Sequence, residues 1–292
     1  MMKASEWPGG IREPRKPRDR RPAKKRFGQH FLEPVWVEKL IRAIAPSNTD
    51  AFLEIGPGTG VLTRPLAIAA RHVVAFEIDR FLAGDLRAAA PDNLTIVEGD
   101  FLEASLEGIH AAFNAAGPAT LRVAGNLPYN VASPILFRLV DLYAAGLPIT
   151  DAIVMLQREV ADRLLARPGN KDYGVLAVML GHWAKTDRML SLPPGAFRPA
   201  PKVHSSVVRL RFHPAEPPAT DEHAFRSMTQ AVFTRRRKTL ANALLAYPPS
   251  VRLRPAEALR RAGIEGGRRP ETLEISEFVR LADVFARETA SG

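Results

Sequence analysis

Glu54-Ile55-Gly56-Pro57-Gly58-Thr59-Gly60 stands between a short apolar run, Ala51–Ile55, and a stretch of helical length, Val61–Ala70. Glycines at a strand-to-helix junction let the backbone turn sharply and come close to a ligand at the carboxyl edge of a sheet. A dinucleotide dehydrogenase would place its third glycine where this chain has Val61, and the spacing here is G-x-G-x-G instead. On its own the loop also admits a purely structural glycine turn.

Outward from the loop the same unit repeats. His72–Ile78, Leu94–Val97, Leu121–Ala124 and Ala152–Leu156 are apolar nearly throughout, as strands buried on both faces of a parallel sheet require. Between them Arg80–Ala90 and Ser133–Ala145 have helical length. In the latter, Ser133 is expected to cap the helix and Pro134 to sit in its first turn. Ile135, Leu136, Leu139, Val140 and Tyr143 share a face. Repeated βα units with right-handed crossovers specify an α/β, doubly wound, Rossmann-like sheet.

Another helix is expected after Pro34, with Val35, Val37, Leu40, Ile41 and Ile44 on its apolar side. Ser205–Phe212 alternates, with Arg209 and Arg211 on one face, and reads as a late, partly exposed strand. Pro214–Thr220 (PAEPPAT) breaks every periodicity and marks a domain boundary. Beyond it, Phe225, Met228 and Val232, and then Ile275, Phe278, Ala282 and Phe285, fall at helical spacing and predict a small all-helical domain. No internal repeat is visible.

Two carboxylates follow the loop at successive strand ends. Glu77 can accept hydrogen bonds from both hydroxyls of a ribose; a lone Glu there also reads as a solvated acid. Asp100, in Glu98-Gly99-Asp100, can accept from the exocyclic amine of an adenine. Their order along the chain favours a nucleoside cofactor. Asn126-Leu127-Pro128-Tyr129 comes immediately after the fourth strand. An aromatic amine is a poor nucleophile because its lone pair is delocalised into the ring. The Asn126 side-chain oxygen and the Leu127 carbonyl are suited to hold its two protons and free that lone pair. Pro128 stiffens the turn, and Tyr129 offers a ring on which a base can stack. A plain strand-to-helix turn with a buried Tyr is the alternative for the tetrapeptide taken alone.

Composition removes other chemistries. The 292 residues, 46% of them hydrophobic, suit a soluble chain of one large and one smaller domain. Cysteine is absent, which excludes disulfides and thiolate chemistry, and the seven histidines form no HExxH, so no metal site is expected. No apolar run is long enough for a bilayer, and the start lacks the apolar stretch of a secretory signal. Its Arg-rich character imitates a transit peptide, but Glu6, Glu13 and Asp19 interrupt it. A cytoplasmic location, no membrane partner and a monomeric state are expected. The formal net charge of +10 suggests a polyanionic partner. Ten basic and three acidic residues lie between Lys3 and Arg26. Residues 1–23, rich in Pro and Arg, are expected to be a flexible basic arm, which a solubilising tail would explain equally well.

These motifs together resemble the small-subunit ribosomal RNA adenine dimethyltransferases, which convert two adjacent adenosines near the 3′ end of 16S rRNA to N6,N6-dimethyladenosine. The resemblance runs from about Lys24 to Phe285. It includes Lys25–Leu32 (KRFGQHFL), the EIGPGTG loop, the FEID strand end and Asn126–Val131 (NLPYNV), then Leu156–Val160 (LQREV), Phe197–Val203 (FRPAPKV) and Phe233–Thr239 (FTRRRKT).

It implies a class I methyltransferase sheet over residues 24–213 that binds S-adenosyl-L-methionine, and a helical RNA-binding domain over residues 221–292. His30 and Leu32 would contact the methionine end of the cofactor, Gly56 and Gly58 would approach it closely, Glu77 would hold the ribose and Asp100 the adenine. Asn126 would bind both cofactor and target amine, with Tyr129 stacking the target. The family often has Asn where this chain has His30, Asp where it has His204, and Arg where it has Ala241. Arg235-Arg236-Arg237-Lys238, expected to begin a C-terminal helix, would face 16S rRNA in the small ribosomal subunit, and a flexible arm would add a salt-sensitive contact. Two rivals remain at this point. One is a resistance-type methyltransferase of large-subunit rRNA, which shares the NxPY turn but lacks the Phe233–Thr239 segment. The other is a ribosome-assembly factor with secondary catalysis.

Overall fold

A strand that is apolar on both sides needs cover on both faces, and this chain supplies it by alternating strands with helices. The computed structural model describes residues 31–113, 120–247 and 253–290, without the side chains of residues 31, 289 and 290. Its elements are β1 (Phe31–Leu32), α1 (Pro34–Ile44), β2 (Ala51–Ile55), α2 (Thr63–Ala69), β3 (His72–Glu77), α3 (Arg80–Ala88), β4 (Leu94–Glu98) and α4 (Leu106–Ala112). There follow β5 (Leu121–Asn126), α5 (Ala132–Ala144), β6 (Ile149–Gln157), α6 (Arg158–Leu164), α7 (Val175–Gly181), β7 (Ala184–Leu192), β8 (Phe197–Arg198) and β9 (Ser205–Phe212). Helices α8 (Glu222–Thr234), α9 (Leu240–Ala243), α10 (Pro255–Ala262) and α11 (Ile275–Ala290) complete them.

Seven strands form one sheet in the order β4-β3-β2-β5-β6-β9-β7, and β1 pairs separately with β8. The five strands from β4 to β6 are parallel, while β9 runs antiparallel to both β6 and β7. This is the α/β, doubly wound, Rossmann-like architecture that the repeated βα units predicted. The order reverses between β2 and β5, and in such sheets a crevice opens at the carboxyl ends of the strands on either side of the reversal.

One apolar layer packs α1, α2 and α3 on the face that carries Phe52, Val73, Ala75 and Met155. The other is larger and continuous: from Leu53, Val74 and Val123 it passes through α5 and α7 to Phe225, Met228, Phe278 and Phe285. Helix α7, buried from Leu176 to Leu180, is the bridge between the sheet and the C-terminal helices. The spacing of Phe225, Met228 and Val232 and that of Phe278, Ala282 and Phe285 therefore reports inward-facing stripes of α8 and α11.

The structure differs from the sequence reading in local detail. Helix α5 starts at Ala132, after Val131 at the N-cap, so Ser133 lies inside the helix and caps nothing. The Val131 N–H donates to the Pro128 carbonyl at 3.1 Å, and this turn feeds straight into the helix. In α1 the buried stripe is Val37, Leu40 and Ile44, and Val35 is 58% exposed. β9 is partly exposed as expected, at Arg209, Arg211 and Phe212, but it is an interior strand between β6 and β7, and its first four residues are buried. Both arginines are paired: Arg209 reaches Asp151, and the exposed Arg211 pairs with Asp187.

Candidate active site

A cavity of about 310 Å³ opens at the carboxyl ends of the parallel strands, within the range of small-molecule sites. Leu32, Gly56, Gly58, Glu77, Asp100 and the whole of Asn126–Tyr129 line it. Nine of the ten residues assigned to the cofactor and the catalytic turn are thus brought together. The tenth, His30, and the arm of residues 1–23 lie outside the described residues.

The glycine loop crosses the end of β2. Gly56 has φ +70°, which a side chain would strain, and a Cβ placed on it would point at the Asn126 carbonyl oxygen, 3.9 Å away. Its N–H donates to the Phe76 carbonyl at 3.0 Å. The Gly58 N–H donates to Glu77 Oε2 at 2.9 Å, and the Asp79 N–H donates to Glu77 Oε1 at 2.9 Å. Glu77 is buried, and two backbone donors fix its carboxylate while each oxygen keeps a further lone pair for a ligand. Asp100 is fixed in a similar way: its Oδ1 accepts from the Leu102 N–H at 2.9 Å as the cap of a short 3₁₀ turn, Phe101–Glu103.

Asn126 ends β5 opposite Met155 of β6. The next residue, Leu127, donates its N–H to the Met155 carbonyl at 3.2 Å, and its side chain is buried. That bond anchors the turn carrying Pro128 and Tyr129 to the sheet. The Tyr129 hydroxyl lies 3.1 Å from Ser205 Oγ on β9.

Three contributors escaped the sequence reading. Glu54 lines the cavity, is 1% exposed, and its Oε2 has no hydrogen-bond partner among the described residues. Burial lifts its carboxyl to about 8, with the Thr63 hydroxyl holding it back and the Glu77 charge adding to the rise. An acid inside the apolar strand AFLEI was the available signal. Gly125 is the second: a Cβ there would stand 2.7 Å from the Ile55 carbonyl oxygen. Glycine lets β5 run that close to β2 and so sets Asn126 beside the loop. Ser205 is the third, and no local pattern in the sequence points to it.

The basic tetrad does not begin a helix. Arg235 is the C-cap of α8, and Arg235–Lys238 form a turn before α9. The apolar stripe of α8 ends at Val232, so continuing the helix would bury nothing further, whereas cations suit a helix C-terminus. Arg236 is partly buried, with its Nε 2.6 Å from Glu271 Oε2, while Arg235, Arg237 and Lys238 are exposed. Among the described residues no cluster of His, Asp and Glu could hold a metal ion, and no helix is long and apolar enough to cross a membrane.

Residues 20–287 match the ribosomal RNA adenine dimethylase family. The ribosomal RNA small subunit methyltransferase A of Bordetella petrii is 42% identical over 275 residues, 93% of this chain and 98% of that protein. The protein of the same name from Aromatoleum aromaticum is 42% identical over 270 residues, covering 91% and 96%. Among solved structures, a dimethyladenosine transferase from Plasmodium falciparum superposes with a TM-score of 0.72 at 24% identity, covering 89% of this chain and 98% of that one. The 23S rRNA methyltransferase ErmE does so with a TM-score of 0.59 at 28% identity, covering 88% and 99%.

Proposed function

The chain belongs to the ribosomal RNA adenine dimethylase family, and from that premise we propose a specific reaction. It transfers methyl groups from S-adenosyl-L-methionine to N6 of two adjacent adenosines near the 3′ end of 16S rRNA, giving N6,N6-dimethyladenosine on the maturing small ribosomal subunit. The observation that carries this reading is the Asn126–Tyr129 turn, anchored at the strand reversal and facing a cavity walled by Glu54, Glu77 and Asp100.

The cavity fits the cofactor. It offers carboxyl groups at three strand ends, one of them with an orphaned buried oxygen, and a loop whose Gly56 and Gly58 bring bare backbone to its wall. Glu77 would hold the ribose, Asp100 the adenine amine, and Leu32 with His30 the methionine end, while Gly56 and Gly58 would let the backbone approach closely. When bound, S-adenosyl-L-methionine supplies a methyl group on a sulfonium, ready for in-line displacement.

The chain's own work is positioning and exclusion of water. The Asn126 side-chain oxygen and the Leu127 carbonyl would accept hydrogen bonds from the two N–H groups of the target amine and so free its lone pair; the proton leaves to solvent once the methylated nitrogen is positively charged. Asn126 orients the amine and is not a strong base, because the nitrogen becomes acidic as it acquires positive charge. Tyr129 stacks a target adenine drawn out of its helix or loop. Double methylation requires that the same pocket accept the monomethylated amine.

In this reading residues 24–213 carry the chemistry and residues 221–292 carry RNA contact. Arg235, Arg237 and Lys238 meet phosphates, and Arg236, held by Glu271, fixes the turn that presents them. The arm of residues 1–23 adds a salt-sensitive contact. The enzyme acts as a monomer in the cytoplasm, where its substrate is made.

The test is transfer of labelled methyl groups to unmethylated small and large ribosomal subunits, followed by nucleoside analysis. Dimethyladenosine on the small subunit alone, lost in Asn126→Ala, is the expected result. The 28% identity with ErmE supports one competing reading, large-subunit methylation, which label on the large subunit would establish. Tight subunit binding with no label on either would leave an assembly factor.

A further inference from the structure

We propose that Ser205 is a positioning residue for this reaction: its buried hydroxyl holds the Tyr129 ring in the orientation on which the target adenine stacks. The inference rests on the functional reading above and adds a residue that the Asn126–Tyr129 motif does not contain.

Topology brings the two side chains together. Strand β9 runs antiparallel to β6, so it begins at the edge where the parallel strands end. Its register pairs Ser205 with Gln157, the last residue of β6, while Asn126 pairs with Met155 on the other side of that strand. Ser205 therefore sits across β6 from the catalytic turn, at about twice the ~4.8 Å spacing of neighbouring strands. A tyrosine side chain spans most of that gap, and the two hydroxyl oxygens are 3.1 Å apart.

Ser205 is 1% exposed, and a buried hydroxyl without a partner is costly. Tyr129 provides a partner, and the bond in turn restrains the far end of a ring that rises from a turn rather than from a strand or helix. A stacking surface has to be held at a fixed angle for the target amine to meet its acceptors, so the bond acts on transfer and not on the cofactor. Ser206 supplies an internal control. It is equally buried, one position along and on the opposite face, and its hydroxyl has no partner among the described residues.

A double-mutant cycle tests this, with methyl transfer to unmethylated small subunits as the readout. Ser205→Ala and Tyr129→Phe are each expected to lower kcat/KM about five- to tenfold, the usual worth of one hydrogen bond. The double variant should be no worse than either single one. Ser205→Thr should retain the rate, Ser206→Ala should match the unsubstituted protein, and cofactor affinity should stay within twofold throughout. Full activity of Ser205→Ala overturns the inference. So do multiplying losses in the double variant, or an equal loss of cofactor binding, since either would mean that Ser205 acts through the strand and not through Tyr129. If the unsubstituted protein transfers no methyl group to small subunits, the functional reading falls first and the inference with it.

Discussion

The parallel strands end in two kinds of edge. At the carboxyl edge the acids keep spare bonding capacity: Glu54 has an orphaned oxygen, and Glu77 and Asp100 are fixed by backbone N–H groups that leave lone pairs unused. At the amino edge four charges, Asp50, Arg122, Asp151 and Arg209, match one another. Asp151, buried in β6, receives a two-pronged contact from Arg122 at 2.8 and 3.1 Å and another from Arg209 at 2.8 Å. Arg122 also reaches Asp50 at 2.9 Å and the Ile44 carbonyl, at the end of α1, at 2.8 Å. Burial works against the Asp50 carboxylate, yet the Ser47 N–H and the Arg122 guanidinium outweigh it and hold the group below its ordinary range. One edge thus concentrates stability and the other keeps bonding capacity for a ligand.

The largest effect that would break this division lies at the amino edge. Arg122→Ala leaves Asp151 buried with half its partners and frees the Ile44 carbonyl at the end of α1. Removing one member of a buried ion pair costs about 3–5 kcal/mol, and Tm should fall by roughly 10 °C in a thermal melt. Cofactor affinity of the folded protein should change by less than threefold. A larger change would mean that α1, which brings Val37 and Leu40 to the cavity wall, transmits strain from one edge to the other.

Gly125→Ala makes the complementary test. The new methyl group would meet the Ile55 carbonyl at 2.7 Å, and backbone cannot swing aside as a flexible side chain can. The cost in stability should be about 1–3 kcal/mol. Asn126, the next residue, would shift, and a displacement approaching 1 Å costs about a hundredfold in rate. Methyl transfer should therefore fall far more than urea stability predicts. Equal losses would show that Gly125 serves packing alone.

Much of this was legible in the sequence where a local pattern carries the information. β2 and β9 have the bounds read from Ala51–Ile55 and Ser205–Phe212, because apolar runs and alternation are direct consequences of burial. The loop, Glu77, Asp100 and the Asn126 turn stand at successive strand ends in the order expected. What remained hidden depends on non-local pairing. β7 carries Lys185, Asp187 and Arg188 and shows no apolar run, since an edge strand exposes one side and charges it. Without β7, β9 looks like an exposed strand. Ser205 meets Tyr129 across 76 residues, and only the antiparallel pairing of β9 reveals it. The tetrad at Arg235–Lys238 has helix-favouring residues, but the apolar stripe of α8 stops before it, and packing outweighs propensity.

Glu54 sharpens the comparison through pH. The unfolded chain gives up this proton near 4.5, whereas the folded protein holds it to about 8, chiefly because burial disfavours the charge. Between those values the folded state binds more protons than the unfolded one, so stability from this group falls as pH rises. Glu54→Gln should flatten the decline in urea midpoint between pH 5 and 8. An unchanged slope would place the proton elsewhere.

The smallest effect separates matched from unmatched charge within one turn. Arg237 and Lys238 are exposed, and neither has an ion partner among the described residues; Arg236 is committed to Glu271. If RNA phosphates lie over this turn, Arg237→Ala and Lys238→Ala should each weaken binding a few-fold at moderate salt. Each should also reduce the slope of log affinity against log salt by about 1. Arg236→Ala should leave the slope nearly intact and instead lower stability by up to about 1 kcal/mol, as expected for a partly exposed pair. A salt slope that drops equally for all three would mean that Glu271 releases Arg236 to the RNA, so that a contact matched in the free protein becomes a binding contact in the complex.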